Sequence, residues 1–218
     1  GPVGLINTIH ATGHHKRYMP AWRLRRELGG GSLIENGTHW YDMWHFLLQS
    51  DVEEVFAVSG ATEKGDDEPC IVTGRTENGV FLNCVLSDFL PDRNEIEILG
   101  QDSVLRVSLH RFDGLEVTPL HSCAGDLQNR LSNMARFFKG LPQQVLQGRY
   151  GGDYNASFRN QWQHFIDCIQ RDIPVECTLE DGRRALQVAL AAVQSANTGQ
   201  SVKVADAPRK ILPVVSNS

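Results

Sequence analysis

Between Val52 and Leu120 the chain breaks into a series of short strand-like runs, and no other feature restricts its fold as tightly. The runs are Glu54–Ala61, Ile71–Thr76, Val80–Ser87, Asn94–Leu99, Val104–Leu109 and Glu116–Leu120, with the turn signals Asn78-Gly79, Pro91-Asp92 and Asp113-Gly114 between them. A parallel pair needs a crossover of about a dozen residues or more, so connections this short predict antiparallel pairing and a central meander.

The flanks complete the pattern. Val3–Thr12 alternates as a strand, Gly13–Pro20 reads as a polar loop, and Trp22–Leu28 and Ser32–Gln49 read as a short and a longer helix. After Gly125 the period turns helical over Asp126–Lys139, Ser157–Arg171 and Leu179–Asn197. The last of these has Thr178 as its N-cap, acids in its first turn and Thr198-Gly199 as its stop. A strand at Ser201–Val204 and a tail with Pro208 and Pro213 follow. This order predicts an α+β class: one domain over 1–218, with a large, mostly antiparallel sheet and helices packed on one face. The other face then needs cover.

Composition narrows the partners. A formal net charge of −5 argues against a nucleic acid or an acidic membrane. No apolar stretch approaches the roughly 18 residues of a membrane span, and no secretory signal pattern occurs. Cys70, Cys84, Cys123, Cys168 and Cys177 are odd in number, widely spaced and without C-x-x-C, so reduced thiols in a cytoplasmic protein are expected.

Chemistry concentrates in Gly29-Gly30-Gly31-Ser32-Leu33-Ile34-Glu35-Asn36-Gly37-Thr38-His39-Trp40-Tyr41-Asp42. Glu35 and His39 are four apart and His39 and Asp42 three apart, so on a helix each pair shares a face. Consecutive glycines let the backbone come close to a ligand or to another segment of the chain. A histidine held by a carboxylate at a helix start is suited to carry a proton. A plain joint followed by a polar helix stripe fits the same residues.

Upstream, His14-His15-Lys16-Arg17 with Arg23, Arg25 and Arg26 makes the one basic cluster, either a solvated surface or a site for an anionic group. Trp22 and Arg23 offer an indole ring face and a guanidinium fork for hydroxyl or carboxylate, or simply pack in the core or at the surface. His10, His14, His15 and His39 make a metal set imaginable, but loop histidines are far commoner and no metal is expected. Glu63-Lys64-Gly65 sits in a charged hairpin turn, Thr62 through Glu68, and receives no catalytic role. His164, beside Trp162 and Phe165, reads as an interdomain or core-edge residue, and Tyr150–Asn155 as a turn-rich loop able to close as a lid.

The glycine segment resembles the signature of the C-terminal domain of the glucose–fructose oxidoreductase, inositol dehydrogenase and rhizopine-catabolism family (Gfo/Idh/MocA). Gly29–Gly31, Glu35, Gly37, His39 and Asp42 take the places of its Gly-Gly-Gly, Asp, Gly, His and Asp. Trp22-Arg23, the run Asp51–Ala57, Ile96–Leu105, Phe158–Asp167, Thr178–Gly182 and Ser195–Gln200 resemble further family fragments in the right order. Ser103 replaces a glycine, and Glu35 stands where aspartate is usual, displacing the carboxylate by one methylene.

The resemblance implies an oxidoreductase that oxidises a secondary alcohol of a sugar or cyclitol, or reduces the ketone, with NAD or NADP. His39 and Glu35 would be catalytic; Trp22, Arg23, His14, Gly30, Gly31 and Asp42 would serve the substrate, Asp42 mainly by fixing the His39 ring or the helix. No G-x-G-x-x-G occurs in the sequence, and the family's Glu-Lys-Pro lysine is absent. The chain is therefore expected to be the substrate and oligomerisation domain alone, binding no cofactor and inactive by itself. Its expected partners are a sugar or cyclitol, the nucleotide-binding domain and copies of itself in a sheet-to-sheet dimer or tetramer. A stand-alone binding or assembly module without catalysis is the alternative.

Overall fold

The computed structural model describes residues 1–13, 19–62, 65–108, 115–123, 125–149 and 152–207. Strands β1 (Val3–Ala11), β2 (Val52–Thr62), β3 (Gly65–Thr76), β4 (Phe81–Ser87), β5 (Arg93–Gly100), β6 (Ser103–Ser108), β7 (Leu115–Pro119) and β8 (Val202–Lys203) form a single sheet. Their order is β7-β6-β5-β1-β4-β3-β2-β8, and every pairing is antiparallel except β1 with β4. The sheet is thus large, mostly antiparallel and α+β in class, as the strand signals predict. The continuous meander is corrected: β1 inserts between β4 and β5. A strand with Ile6 on one face and Leu5 and Ile9 on the other suits the centre of a sheet.

Helices α1 (Gly37–Leu48) and α4 (Leu179–Thr198) cover one face. Ile6, Val55, Ala57, Val72, Leu82, Cys84, Leu86 and Ile96 point into this core and meet Trp40, Tyr41, Trp44 and the Ala189, Ala191, Ala192 and Val193 run of α4. Small residues let α4 lie close, and the Ser195 hydroxyl accepts from the Ala57 N–H at 2.9 Å, tying helix to strand. Thr178 and Asp181 form a reciprocal capping box at its start, and Gly199 closes it at φ 66°. Helices α2 (Leu127–Arg149) and α3 (Gly152–Arg171) instead pair with each other beyond β7, where Asn133 accepts from Val117 N–H at 3.1 Å.

The opposite face is apolar in one row. Ile9, Val85, Ile71 and Val58 are successive register partners across four strands, and Phe81 beside them is 62% exposed.

Several local expectations need correction. Trp22–Leu28 is not one helix but two 3-10 turns, Ala21–Leu24 and Arg26–Leu28, because Arg25 between them is extended at φ −123°. Ser32–Asn36 is a turn, and α1 begins only at Gly37. Helix α2 runs through Pro142 to Arg149; one lost backbone bond is outweighed by the helix-forming Gln and Leu residues that follow. Residues 152–155 belong to α3 rather than to a loop, and Tyr150 and Gly151 lie outside the described residues. The charged turn read over Thr62 through Glu68 is also corrected: Thr62 pairs with Gly65, residues 65–68 belong to β3, and Glu63 and Lys64 lie outside the described residues.

Candidate functional site

The glycine segment folds onto the chain itself. Gly30 N–H donates to Arg25 O at 2.9 Å and Gly31 N–H to Arg23 O at 2.8 Å. A Cβ at Gly30 would stand 2.3 Å from the carbonyl oxygens of Trp22 and Arg23, and at Gly31, with φ +83°, 2.7 Å from Asp67 Oδ2. Both glycines are buried. Their place in the substrate set is therefore corrected: they serve the close packing of two chain segments, and those N–H groups are already used. Gly37 meets the same need, since its missing side chain leaves room for the Tyr41 hydroxyl.

What holds this turn down is a wall of buried acids from β3 and β4. Asp67 takes the Arg26 guanidinium in a two-pronged pair, Nε to Oδ2 at 3.1 Å and the second contact from Nη2, while Arg26 Nη1 reaches Asn197 at 2.7 Å. Asp66 accepts from the Arg26 backbone N–H at 2.8 Å and pairs with Arg25 at 3.5 Å. Arg25 and Arg26 are thus internal partners of acids, which corrects the reading of the basic cluster as an anion site at these two positions. Glu68 accepts from Ser32 Oγ, from Ser87 Oγ at 2.8 Å and from Asp88 N–H at 2.9 Å. Burial pushes its carboxyl above the usual range against the pull of these donors. Asp88 in turn accepts from Thr12 Oγ1 at 2.9 Å and from Asn36 Nδ2 at 3.0 Å. Asn36, the residue that opens α1, spends its amide there and makes no side-chain cap to its own helix.

On this wall sits the candidate site. Arg23 and Glu35 meet at 2.6 Å, Nη2 to Oε1, both half-buried. The contact is end-on, and Arg23 Nε and Glu35 Oε2 are left without hydrogen-bond partners. Trp22, next to Arg23, leaves its side chain about half exposed. His39 lies exposed in the first turn of α1, and Glu35 precedes the helix, in a turn closed by Thr38 N–H to Ile34 O at 3.2 Å. Two candidate site residues that the sequence left apart are thereby brought together, Arg23 with Glu35.

Asp42 is not with them. It lines a cavity of about 160 Å³ with His45, Phe46, Gln49, Glu176, Cys177 and Asp181, and no hydrogen bond or ion pair joins it to His39. Its expected hold on the His39 ring is corrected: α1 turns Asp42 toward the segment leading into α4. His14 lies outside the described residues. His164 accepts from Glu176 N–H at 3.1 Å and faces the loop after α3. Among the described residues no group of three or more His, Cys, Asp or Glu comes together as a metal site.

Sequence reasoning missed the layer beneath. His10 is the register partner of Asn94 on β5 and lies against Trp40, ring centres 5.5 Å apart. Burial holds its imidazole below 6.5, while Asn94, Asp88, Asn36 and Glu35 beside it pull the other way. His10 Nδ1 and Asn94 Oδ1 are both buried and unpartnered. The available signal was Asp66-Asp67-Glu68, three acids leading into the β3 run; charge alone read as a turn tip.

Comparison with known proteins follows from this geometry. Residues 1–204 match the Gfo/Idh/MocA family model described as oxidoreductase family, C-terminal alpha/beta domain. An uncharacterized oxidoreductase, YrbE of Bacillus subtilis (strain 168), is 25% identical over 185 residues, 80% of this chain and 48% of that protein. The WlbA dehydrogenase of Bordetella pertussis, solved with NADH and UDP-GlcNAcA, superposes with a TM-score of 0.69 at 19% identity, covering 93% of this chain and 57% of that one. The myo-inositol 2-dehydrogenase of Lactobacillus plantarum gives 0.65 at 17%, covering 93% and 57%. At these identities the structures share the fold, and the chain spans about half the length of the relatives it matches.

Proposed function

This chain belongs to the Gfo/Idh/MocA oxidoreductase family as its C-terminal alpha/beta domain, and from that premise we propose that it is the substrate and oligomerisation half of an NAD(P)-dependent dehydrogenase acting on a secondary alcohol of a sugar or cyclitol. The observation that carries the reading is the Arg23–Glu35 pair, with the exposed His39 four residues after Glu35 in the sequence. A hydroxyl both donates and accepts, and this pair holds a buried, unpartnered donor, Arg23 Nε, and a buried, unpartnered acceptor, Glu35 Oε2.

The glycine segment does not suit a dinucleotide phosphate: the N–H groups of Gly29, Gly30 and Gly31 are all bonded to chain carbonyls. The cofactor belongs to a nucleotide-binding domain of the parent protein and, when bound there, supplies the hydride acceptor or donor. Within this chain, Arg23 and Glu35 bind and orient the alcohol, Trp22 offers a face to the sugar ring, and His39 takes the hydroxyl proton at a ring nitrogen as the carbonyl forms. In reduction the same nitrogen returns it.

The apolar row Ile9–Val85–Ile71–Val58 supports a second copy of the chain on the open sheet face. The stripe Phe158, Trp162, Phe165 and Ile169 on α3 supports the contact with the nucleotide-binding domain. No helix among the described residues is long and apolar enough to cross a membrane, and a cytoplasmic setting accords with five free cysteines.

The test is the intact mass of the product of the full gene, followed by NAD and NADP reduction across a panel of sugars and cyclitols. Turnover is expected, and His39→Ala should lower kcat by about 10²–10⁴-fold with an unchanged melting temperature. A native product of only this length, or a longer one with no turnover on any polyol, would sink the dehydrogenase reading and favour the stand-alone binding module.

A further inference from the structure

The helix-facing side of the sheet carries no charged, amide or imidazole side chain along β1 and its two neighbours until its last row. Ile6 lies between Ile98 and Leu82, and Thr8 between Ile96 and Cys84, but His10 lies between Asn94 and Leu86. Helix α1 follows the same rows: Trp44 donates from Nε1 to Thr8 Oγ1 at 3.4 Å, and Trp40, one turn earlier, packs on His10. An imidazole and an amide in such a row need partners, because a buried polar group without one costs stability. Yet His10 Nδ1 and Asn94 Oδ1 have none, and Asn94 is only 6% exposed. Beside this pair stand the Asn36–Asp88 bond and, one residue before Asn36, the Glu35 carboxylate with its own unpartnered oxygen.

We propose that His10 is a positioning residue of this site: its neutral ring, wedged between Trp40, Asn94 and the Asn36–Asp88 bond, fixes the turn that leads into α1 and so aims Glu35 at Arg23. What Glu35 does to substrate rests on the preceding reading; how His10 holds the turn does not. The neutral ring has one donor and one acceptor, which suits two amides; the cation has only donors.

The groups facing His10 are Asp88 and Leu86 from the end of β4, Asn94 from β5, Glu35 and Asn36 from the turn, and Trp40 from α1. Protonation therefore places a positive charge beside Asp88, both of whose oxygens already accept, and beside the loose oxygen of Glu35. It competes with Asn36 and Thr12 for Asp88 and with Arg23 for Glu35. Because burial lowers the folded-state value, this hold is complete above the ordinary 6.5 and is lost as pH falls through the lowered value.

Histidine NMR on this chain tests the proposal. The His10 Cε1–H resonance should titrate below 6.5, and the backbone amides of residues 35–37 should follow the same midpoint. Glu35→Gln, which removes a charge that favours the cation, should move that midpoint further down. His10→Gln, neutral at every pH, should abolish the titration of those amides, and His10→Phe should do the same while keeping a ring against Trp40. A midpoint at the ordinary value, or one that Glu35→Gln leaves in place, overturns the proposal. So do amides 35–37 that titrate unchanged in His10→Gln. Failure of dehydrogenase assays alongside the expected titration removes the function proposed above and leaves His10 in its positioning role.

Discussion

Arg23 and Arg26 lie three residues apart on the same irregular segment, and each meets one carboxylate. Arg26 is buried, grips Asp67 with two nitrogens and uses a third on Asn197, so its donors serve the fold. Arg23 is half-buried, touches Glu35 with one nitrogen and keeps Nε spare. The difference teaches that saturation, more than charge, separates a structural ion pair from a candidate binding pair. A buried guanidinium with all three nitrogens engaged presents nothing to a ligand.

Removing the saturated member should do the most damage. Arg26→Ala leaves Asp67 buried and uncompensated and should cost about 3–5 kcal/mol in denaturant unfolding. Arg26→Lys should recover little, since an ammonium cannot reproduce the fork. A loss under about 1 kcal/mol for Arg26→Ala would erase the distinction. Next comes the backbone that joins the two arginines. Gly30→Ala forces a methyl into the Trp22 and Arg23 carbonyls and should cost about 1–3 kcal/mol. Gly29→Ala, at φ +87° with open space around it, should cost about 1–2 kcal/mol through backbone strain alone. If Gly29→Ala proves the worse of the two, the close approach at Gly30 is not what the glycines provide.

The smallest stability effect belongs to the spare pair. Glu35→Gln or Arg23→Ala should change stability by about 0.2–1 kcal/mol, as for partly exposed ion pairs. Under the proposed function, in which Arg23 and Glu35 orient the alcohol, the same variants of the parent protein should lower kcat/KM by a larger factor than their stability change implies. Equal losses in folding and turnover would make Arg23–Glu35 a second Arg26–Asp67.

The sheet was legible wherever one local rule decided the outcome. The strand alternation of residues 54–61 and 80–87 and the capping box of Thr178 with Asp181 are local, and the structure agrees with each. The insertion of β1 was not legible, because a strand's neighbours are set by pairing across the whole chain and not by its own period. The site divided the same way. The Glu35–His39 spacing and the Trp22-Arg23 pair could be seen in the sequence, and Arg23 does meet Glu35. Asp42 was misassigned because helical spacing gives a face but not what the face meets, and here it meets the approach to α4. His10, Asp88 and Asn94 were missed as a group because 78 residues separate His10 from Asp88, and only the sheet brings them together (88 minus 10).

By itself the sequence determined the family and the α+β class and marked the segment of the candidate site, since these follow from residue types at short fixed spacings. Only the tertiary structure decided which of two nearby arginines is spent on the core, that the glycines face the chain's own carbonyls, and that a histidine on the first strand stands under the site. Those outcomes depend on burial and on which donors find acceptors, and both are properties of contacts between segments far apart in the chain.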